Sequence, residues 1–425
     1  MKSLWISGAL FLSFVQAVAA QERTVILAGR LVDVETGRVL ENQAIEIAGG
    51  KITAVGPRGD TPADAAVIDL SAMTVLPGLM DAHVHLTSNA DEHGYNALKI
   101  SAADRAISGV VNAKRTLMAG FTTVRNVGSG GGFPDVALRN AIAAGKVPGP
   151  RILAAGPSLG ITGGHCDDNL LPPEYDHTAD GVADGPWEVR RLVRRNVKYG
   201  ADVIKFCGTG GVLSKGTKIG AQQFTEEEMR ALVDEAHALG LKVAVHAHGT
   251  QGIKTALRAG VDSVEHASLI DDEGIRLAKK TGAYLSMDIY VSDYILAEGE
   301  AAGILEESLA KERAVGARQR ASFARAHEAG VKIAFGSDAG VYPHGDNARQ
   351  FAYMTAHGMT PMEAIRAATR DTADLFGIAD RAGSIGAGKY ADIIAVAGDP
   401  LGDIRVLEDV CFVMKGGTVY KDCRR

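Results

Sequence analysis

The 425-residue chain has little cysteine, no strong charge imbalance and few aromatic residues. Its four cysteines lack the close spacing of a zinc ribbon and are too few to staple a chain of this size, which excludes a disulfide-dense scaffold. The formal net charge is −6 and no long run of one sign occurs. This charge argues against a protein that binds nucleic acid and against one that uses basic charge to bind a membrane surface. Small molecules are the expected partners.

Apolar side chains are what the chain has in quantity. Hydrophobic residues make up 46% and charged residues 23%, while 51 glycines and 13 prolines make it only moderately loop-rich. This composition can bury a large core and excludes a disordered chain, a collagen and a coiled coil. The length would suit about three average domains, but barrel folds run longer than average.

The N-terminal twenty residues differ from the rest of the chain. Lys2 precedes an apolar run over 4–15, and small residues at 17–20 precede the charged Glu22 and Arg23. This pattern predicts a secretory signal peptide at 1–20, cleaved near Ala20. An uncleaved anchor is the alternative, but the run is shorter than the ~20 residues that cross hydrocarbon. We therefore expect a periplasmic or secreted protein with no membrane span in its mature chain.

Export would permit disulfides. Cys411 and Cys423 lie on neighbouring C-terminal segments and could form one. Cys166 and Cys207 carry no pairing signal, and the plainer interpretation is that all four cysteines are incidental thiols.

Short β-type runs occupy both ends of the mature chain. They lie at 25–27, 44–47, 52–55 and 67–70, and again at 392–396, 410–414 and 418–420. No segment with helical periodicity interrupts the N-terminal set. We therefore expect residues 21–76 and 384–425 to form one small β-domain together.

Residues 77–383 alternate between strand-like apolar runs and helical segments. The predicted strands are 79–83, 122–126, 151–155, 203–206, 243–246, 263–266, 284–288 and 333–336. Eight strands close a (β/α)8 barrel, although a doubly wound open sheet shows the same alternation. Thr225 with Glu228, and Thr360 with Glu363, form capping-box patterns that predict two of the intervening helices.

Polar residues with metal-ligating chemistry end several of these strands. His83 and His85 close the first strand two residues apart, so both imidazoles project from one face and can meet one metal ion. Alone, such a pair is more often two partly buried histidines. Four further strands also end in titratable groups, namely Lys205, His246, His266 and Asp338. Burying such groups unpaired is costly, so their convergence at one barrel rim predicts a metal centre.

The chain resembles the amidohydrolase superfamily in the run PGLMDAHVH at 77–85 and in the ordered Lys, His, His and Asp that follow. The resemblance covers essentially the whole mature chain. It implies an α/β fold in which a metal-binding (β/α)8 barrel joins a β-sandwich built from both termini. It also implies two divalent metal ions, usually zinc, with His83, His85 and Asp338 on one, His246 and His266 on the other, and Lys205 carboxylated by CO2 as the bridge.

The same resemblance implies a mechanism. A hydroxide shared by the two metals attacks the scissile carbonyl, and Asp338 transfers its proton to the leaving nitrogen. An unmodified Lys205 ammonium would repel divalent metal, so its carboxylation belongs to the expected cofactor set. The alternative is that Lys205 snorkels or pairs with an acid.

Further motifs indicate a narrower group within this superfamily. GFTTVR at 120–125, TGGH at 162–165, GTGGV at 208–212 and VHAHG at 245–249 are similar to those of metal-dependent Xaa-Pro dipeptidases and related carboxypeptidases, and especially of bacterial ochratoxin A amidohydrolases. These enzymes release a C-terminal amino acid from an acyl group. The resemblance implies an N-acyl amino acid or dipeptide substrate. His165 and His248 are the candidate substrate contacts, with support of the metal ligands as the alternative role.

Three functions remain open at this point. The first is the amide hydrolase just described, a catalyst acting on C–N bonds. The second is a lactonase, phosphotriesterase or imidazolone-type ring hydrolase on the same metal centre, because fold alone does not settle the reaction. The third is a non-catalytic barrel, which the complete ligand set disfavours. The long segments 157–186 and 289–305 are candidate lids or oligomer contacts, and we expect a homo-oligomer.

Overall fold

The computed structural model describes residues 23–60 and 62–424, so the predicted signal peptide lies outside the described residues. The strands are β1 Arg23–Asp33, β2 Arg38–Ala48, β3 Lys51–Pro57, β4 Ala66–Pro77, β5 Leu79–Val84, β6 Phe121–Asn126, β7 Arg151–Ala154, β8 Val203–Cys207, β9 Lys242–Ala247, β10 Ser263–His266, β11 Tyr284–Ser286, β12 Ile333–Ala334, β13 Ile393–Val396, β14 Val410–Lys415 and β15 Thr418–Asp422. The α-helices are α1 Ala102–Met118, α2 Pro134–Ala143, α3 Pro186–Lys198, α4 Glu226–Ala238, α5 Thr250–Ala259, α6 Asp272–Thr281, α7 Val291–Glu298, α8 Glu306–Glu328, α9 Gln350–Ala356, α10 Pro361–Arg366 and α11 Thr372–Phe376. None of the helices in this part of the chain combines the length and hydropathy that a bilayer span requires.

Both ends of the chain contribute to one seven-stranded sheet. Its strand order is β15-β14-β13-β4-β1-β2-β3. The long strand β4 is its centre, because it pairs in parallel with β1 along one edge and antiparallel with β13 along the other. The β texture predicted at the two termini therefore belongs to a single sheet. The domain boundaries after residue 76 and before residue 384 stay predictions.

This sheet is buried on both faces where it meets the rest of the molecule. Along β13, Ile393 and Ala395 pack into a core enclosed by the sheet itself, together with side chains of β1, β2 and β14. The intervening Ile394 and Val396 pack into the main core, which includes the barrel. Successive side chains of a strand point to opposite faces, so an unbroken apolar run is what this double burial requires.

The central region forms the predicted (β/α)8 barrel. Its strands are parallel and pair in the orders β5-β6-β7 and β12-β11-β10-β9-β8. Backbone hydrogen bonds join the two sets at both ends: Ala82 N donates to Phe335 O at 2.7 Å, and Asp202 N donates to Ala154 O at 2.7 Å. All eight predicted strands are present. β11 and β12 end two residues earlier than predicted, because the backbone pairing between them stops at Ser286 and Ala334.

The predicted helix caps are also present. Thr225 Oγ1 accepts a hydrogen bond from Glu228 N at 3.2 Å, and the Glu228 carboxylate accepts one from Thr225 N at 2.7 Å. The same reciprocal pair links Thr360 and Glu363 at the start of α10. Each box satisfies backbone N–H groups that the first helical turn leaves without partners.

The cysteines form two disulfides, so the interpretation as incidental thiols was wrong. Cys411 and Cys423 are bonded, as their position on neighbouring segments suggested, with 5.2 Å between their Cα atoms. Cys166 and Cys207 are bonded across 41 residues, with their Cα atoms 5.9 Å apart. This second pair forms because the loop after β7 packs along β8, where Leu159 N donates to Lys205 O. The sequence separation concealed that proximity.

Candidate metal centre and substrate pocket

A cavity of about 310 Å³ opens at the C-terminal ends of the barrel strands. All the side chains predicted at this rim line it: His83, His85, Lys205, His246, His266 and Asp338, with His165 and His248 beside them. The structure therefore brings together every predicted site residue. The C-terminal end of a barrel sheet is where strand-end residues converge, and that geometry explains the agreement.

His83, His85 and Asp338 form the first group. The Nε2 atoms of both histidines lie 3.3 Å from the same oxygen, Asp338 Oδ1. Burial and the Lys205 ammonium lower the pKa of His83, but the carboxylates of Asp338 and Glu265 outweigh them and raise it to about 9. Burial also raises the pKa of Asp338, but His83 and His85 hold it well below its usual range. The group thus has an ionised carboxylate facing two imidazoles.

His246, His248 and His266 form the second group. One potential ligand atom of each lies within 4.8 Å of the others, and His266 also lies within that distance of His83 and Asp338. Burial lowers the pKa of all three imidazoles well below the usual value, so they are neutral near pH 7. His246 Nε2 is buried and has no hydrogen-bond partner among the described residues. A buried, neutral and unpartnered imidazole nitrogen fits a divalent cation.

Lys205 lies in the same cavity and is 3% exposed. Burial lowers the pKa of its ammonium to about 8, although the carboxylates of Glu265 and Asp338 oppose that shift. A lysine with this pKa has an appreciable population of neutral amine near neutral pH. The neutral amine is the form that reacts with CO2, so the environment suits the predicted carboxylation.

The backbone itself is strained where two of the strands deliver their ligands. His266, Ala267 and Asp338 have φ values of 67°, 46° and 60°, in the left-handed region. Such a conformation costs roughly 1–3 kcal/mol for a residue with a side chain and persists only where the surrounding fold imposes it. Strain of this kind often clusters at functional sites, and here it turns the chain at the end of β10 and in the loop after β12.

A buried ion pair beneath the ligands was not predicted. Arg125 Nη2 donates to Glu265 Oε1 at 2.8 Å, and Arg125 Nε donates to Ala82 O at 2.7 Å. The other oxygen, Glu265 Oε2, lies 3.1 Å from His83 Nδ1. Burial raises the pKa of Glu265, but Arg125 and His83 hold it far below its usual value. The pair connects β6 and β10 across the barrel interior and supports the His83 ring.

His266 has a similar support. Its Nδ1 lies 2.8 Å from Asp288 Oδ1, which also accepts a hydrogen bond from Gln319 Nε2 at 2.9 Å. Burial and the charge of Asp338 raise the pKa of Asp288 to about 7. The one sequence signal for this residue was that Asp288 ends the predicted strand 284–288. Gln319, from the middle of α8, carried no signal at all.

His165 and His248 are each anchored through one ring nitrogen. His165 Nδ1 lies 2.8 Å from Ser214 Oγ, and His248 Nδ1 lies 2.7 Å from Ser268 Oγ. The His165 ring stacks on His246 with 4.0 Å between centroids. A Cβ atom at Gly211 would lie 2.3 Å from the His165 ring, so the GTGGV motif needs glycine there for close packing. The second ring nitrogen of each histidine has no hydrogen bond to the described residues.

The wall of the cavity beyond these histidines is mixed. Apolar side chains come from the GTGGV segment, from α7 and from the loop after β12: Val212, Leu213, Val291, Ile295 and Val341. Polar and charged side chains include Ser88, Asn89, Glu92, Arg105 and Glu312. Both predicted lid segments contribute to this wall, 157–186 through Ser158 and His165 and 289–305 through Val291 and Ile295. Such a wall suits a ligand with both an apolar part and a charged part.

Residues 74–421 match the family model described as the amidohydrolase family. The chain belongs to that family. It is 33% identical to the ochratoxinase of Aspergillus niger, in an alignment that covers 94% of this chain and 86% of that protein. The resemblance drawn from the motifs is thereby confirmed, and this amidohydrolase is a hydrolase acting on C–N bonds.

Two solved structures show the same similarity. A Xaa-Pro dipeptidase with methionine bound in its active site superposes with a TM-score of 0.88 and 41% identity, covering 94% of this chain and 100% of that one. A prolidase complexed with N-methylphosphonate-L-proline also has a TM-score of 0.88, with 33% identity over 94% of this chain and 100% of that one. The barrel and the β-rich domain are therefore shared with peptidases of this group.

Proposed function

We propose that this amidohydrolase releases a C-terminal amino acid from N-acyl amino acids or dipeptides, with ochratoxin A, which would yield phenylalanine, as a candidate substrate. The observation that carries the proposal is a cluster of buried histidines, three of them neutral, that shares one cavity with an ionised Asp338. The similarity to an ochratoxinase and to Xaa-Pro dipeptidases supports the choice of an amide beside an amino-acid carboxylate.

The residues present fit two divalent metal ions, most simply zinc, because imidazole and carboxylate ligands suit that ion. His83, His85 and Asp338 would hold one ion, His246 and His266 the other, and Lys205 would bridge them. When bound, the ions would supply Lewis-acid activation of a water molecule and of the scissile carbonyl. The unpartnered His246 Nε2 and the strained backbone at His266 and Asp338 support this assignment.

Carboxylation of Lys205 completes the ligand set. The ammonium loses one proton, and the neutral amine then adds to CO2 and releases a second proton, so a cationic side chain becomes an anionic carbamate. This change removes the positive charge that would oppose metal binding among the histidines. The lowered pKa of Lys205 supports the step, since it provides the neutral amine.

Asp338 is the proposed catalytic residue. Its low pKa keeps it ionised, so it can accept a proton from the attacking water. Asp338 then delivers that proton to the leaving nitrogen, which allows the C–N bond to break and the amino acid to leave as an amine. His165 and His248, whose second ring nitrogens are unused, contact the substrate beside the scissile amide, and the apolar wall receives the acyl group or the leaving side chain.

Metal analysis followed by a substrate panel tests the proposal. The panel contains N-acetyl derivatives of phenylalanine, leucine and proline, a dipeptide ending in proline, ochratoxin A, a lactone and a phosphotriester. We expect close to two equivalents of metal and the highest kcat/KM on an amide with a free α-carboxylate. Preference for the lactone or the phosphotriester in the metal-loaded enzyme would assign another reaction to the same centre.

We also infer that the protein is exported to the periplasm or medium, from the pattern of residues 1–20. Two disulfides elsewhere in the chain support an oxidising compartment. N-terminal sequencing of the protein from its producing cells should find Gln21 first. A cytoplasmic product that keeps Met1 would contradict the inference.

A further inference from the structure

Arg105, on the first turns of α1, is the only arginine among the described residues that line the cavity. Its side chain is partly exposed, and its guanidinium forms no hydrogen bond or ion pair with the described residues. The one lysine among the described residues of the cavity wall is Lys205, which loses its positive charge if it is carboxylated. A fixed positive charge without a protein partner thus faces the cavity.

The position of this guanidinium follows from its neighbours. Ser101 caps α1 through Asp104 and fixes the start of the helix that carries Arg105. A Cβ atom at Gly130 would lie 3.0 Å from Arg105 Nε, so the arginine packs closely against the loop after β6 and a side chain at residue 130 would displace it. In the same loop, Gly128 O lies 3.3 Å from His85 Nδ1. Arg105 therefore lies on the His85 side of the cavity.

Several carboxylates line the cavity beside this cation. Glu92, Asp288, Glu312 and Asp338 all line the wall, and Glu92 Oε2 has no hydrogen-bond partner among the described residues. These carboxylates disfavour the entry of a further negative charge. His165 and His248 each use Nδ1 on a serine hydroxyl, of Ser214 and Ser268, so each has a single ring nitrogen left for a substrate.

We propose that Arg105 binds the free α-carboxylate of the substrate and selects amides that carry one. This inference rests on the function proposed above, and it names the side chain that recognises the carboxylate of the substrate. A guanidinium presents parallel N–H donors that match the two oxygens of a carboxylate, which an imidazole with one free ring nitrogen cannot do. The metal ligands and the two imidazoles then remain available for the scissile amide.

Four proteins compared on two substrates test this role. The substrates are N-acetylphenylalanine and its carboxamide, in which the negative charge is removed, with release of phenylalanine or phenylalaninamide as the readout. The variants are Arg105→Gln, Arg105→Lys and Lys114→Gln. Lys114 is an exposed cation nine positions further along α1, which places it on the opposite side of the helix.

We expect Arg105→Gln to lower kcat/KM on the free acid by roughly tenfold or more, mainly through KM, and to change the carboxamide rate by less than about twofold. Arg105→Lys should recover part of the loss because it keeps the charge but not the paired donors. Lys114→Gln should match the wild type on both substrates. An equal loss on acid and carboxamide, or no loss on the acid, would overturn the proposal.

A second variant covers the case in which changes at Arg105 disturb folding. Gly130→Ala keeps the arginine but places a methyl group against it, so it should reduce the preference for the free acid in the same direction. Calorimetric binding of the two compounds separates this proposal from the proposed function. If the enzyme hydrolyses neither compound but binds the acid more tightly, and this difference depends on Arg105, the carboxylate site is supported and the proposed reaction is rejected. If the enzyme binds acid and carboxamide equally, or binds neither compound, the carboxylate site is rejected.

Discussion

Removal of the Cys166–Cys207 disulfide should separate stability from catalysis. Cys166 directly follows His165 and Cys207 lies two residues after Lys205, and both cysteines line the cavity. The disulfide at the other end of the chain, Cys411–Cys423, joins β14 to the residue that follows β15 and provides a matched control. We compare a variant with Ala at both 166 and 207 with one that has Ala at both 411 and 423.

The two bonds close loops of different length, and the loop length sets the expected loss of stability. Closure of 41 residues restricts the unfolded chain by about 4 kcal/mol in the chain-entropy model, and closure of 12 residues by about 3 kcal/mol. Urea unfolding of the two variants should therefore show losses of similar size. The midpoints should shift while the slopes change little.

Activity should distinguish the variants. Without the bond to Cys207, the loop that carries His165 is held less firmly over the cavity, and a misplacement of about 1 Å at an active site can cost up to ~10²-fold in rate. We expect the 166/207 variant to lose roughly tenfold or more in kcat/KM at a temperature where it is fully folded. The 411/423 variant should keep the wild-type kcat/KM. Equal values of kcat/KM in both variants would refute the positioning role of the disulfide.

Three further predictions concern single side chains. Lys205→Ala should lose bound metal and activity, with partial recovery when a short carboxylic acid is added, and full metal content with full turnover would exclude the bridging role. Asp338→Asn should lower kcat on the order of 10²-fold or more while the protein stays folded and largely metal-loaded, and near-normal turnover would assign the proton transfer elsewhere. Burial raises the pKa of Glu312 to about 7, so its contribution to stability is complete below about pH 4.5 and is lost as the pH rises through 7. Glu312→Gln should therefore reduce the loss of stability with rising pH and raise the free energy of unfolding above pH 7 relative to the wild type. Urea titration at several pH values measures this. A difference in unfolding free energy between variant and wild type that stays constant from pH 5 to 8 would contradict the prediction.

The sequence was sufficient for the elements whose signal is local. Each barrel strand is a short apolar run, so its place could be found without knowledge of its neighbours. The predicted rim residues met because all parallel barrel strands end at one face, which is a property of the fold rather than of any particular pair. His83 and His85 were the simplest case, since their two-residue spacing already places both rings on one side.

The features that escaped prediction all depend on parts of the chain that are distant in sequence. Arg125 and Glu265 are separated by 140 positions, and nothing in either local segment marks the other as its partner. Cys166 and Cys207 likewise needed the packing of one loop against β8. The left-handed backbone at Asp338 is imposed by the surrounding fold against the preference of the residue itself, so no local propensity reveals it.

The shared terminal sheet imposes an order of events on folding. Thr74 of β4 donates a hydrogen bond to Gly398, 324 residues later, so one edge of β4 has no partner until the entire barrel has been synthesised. Contacts this remote slow folding, and an open strand edge is a template for pairing with other chains. A chain that lacks the segment from β13 onward would keep that edge and its apolar faces exposed. Loss of this short C-terminal segment should therefore cause aggregation of the whole protein, although the residues of the metal centre are all encoded before it.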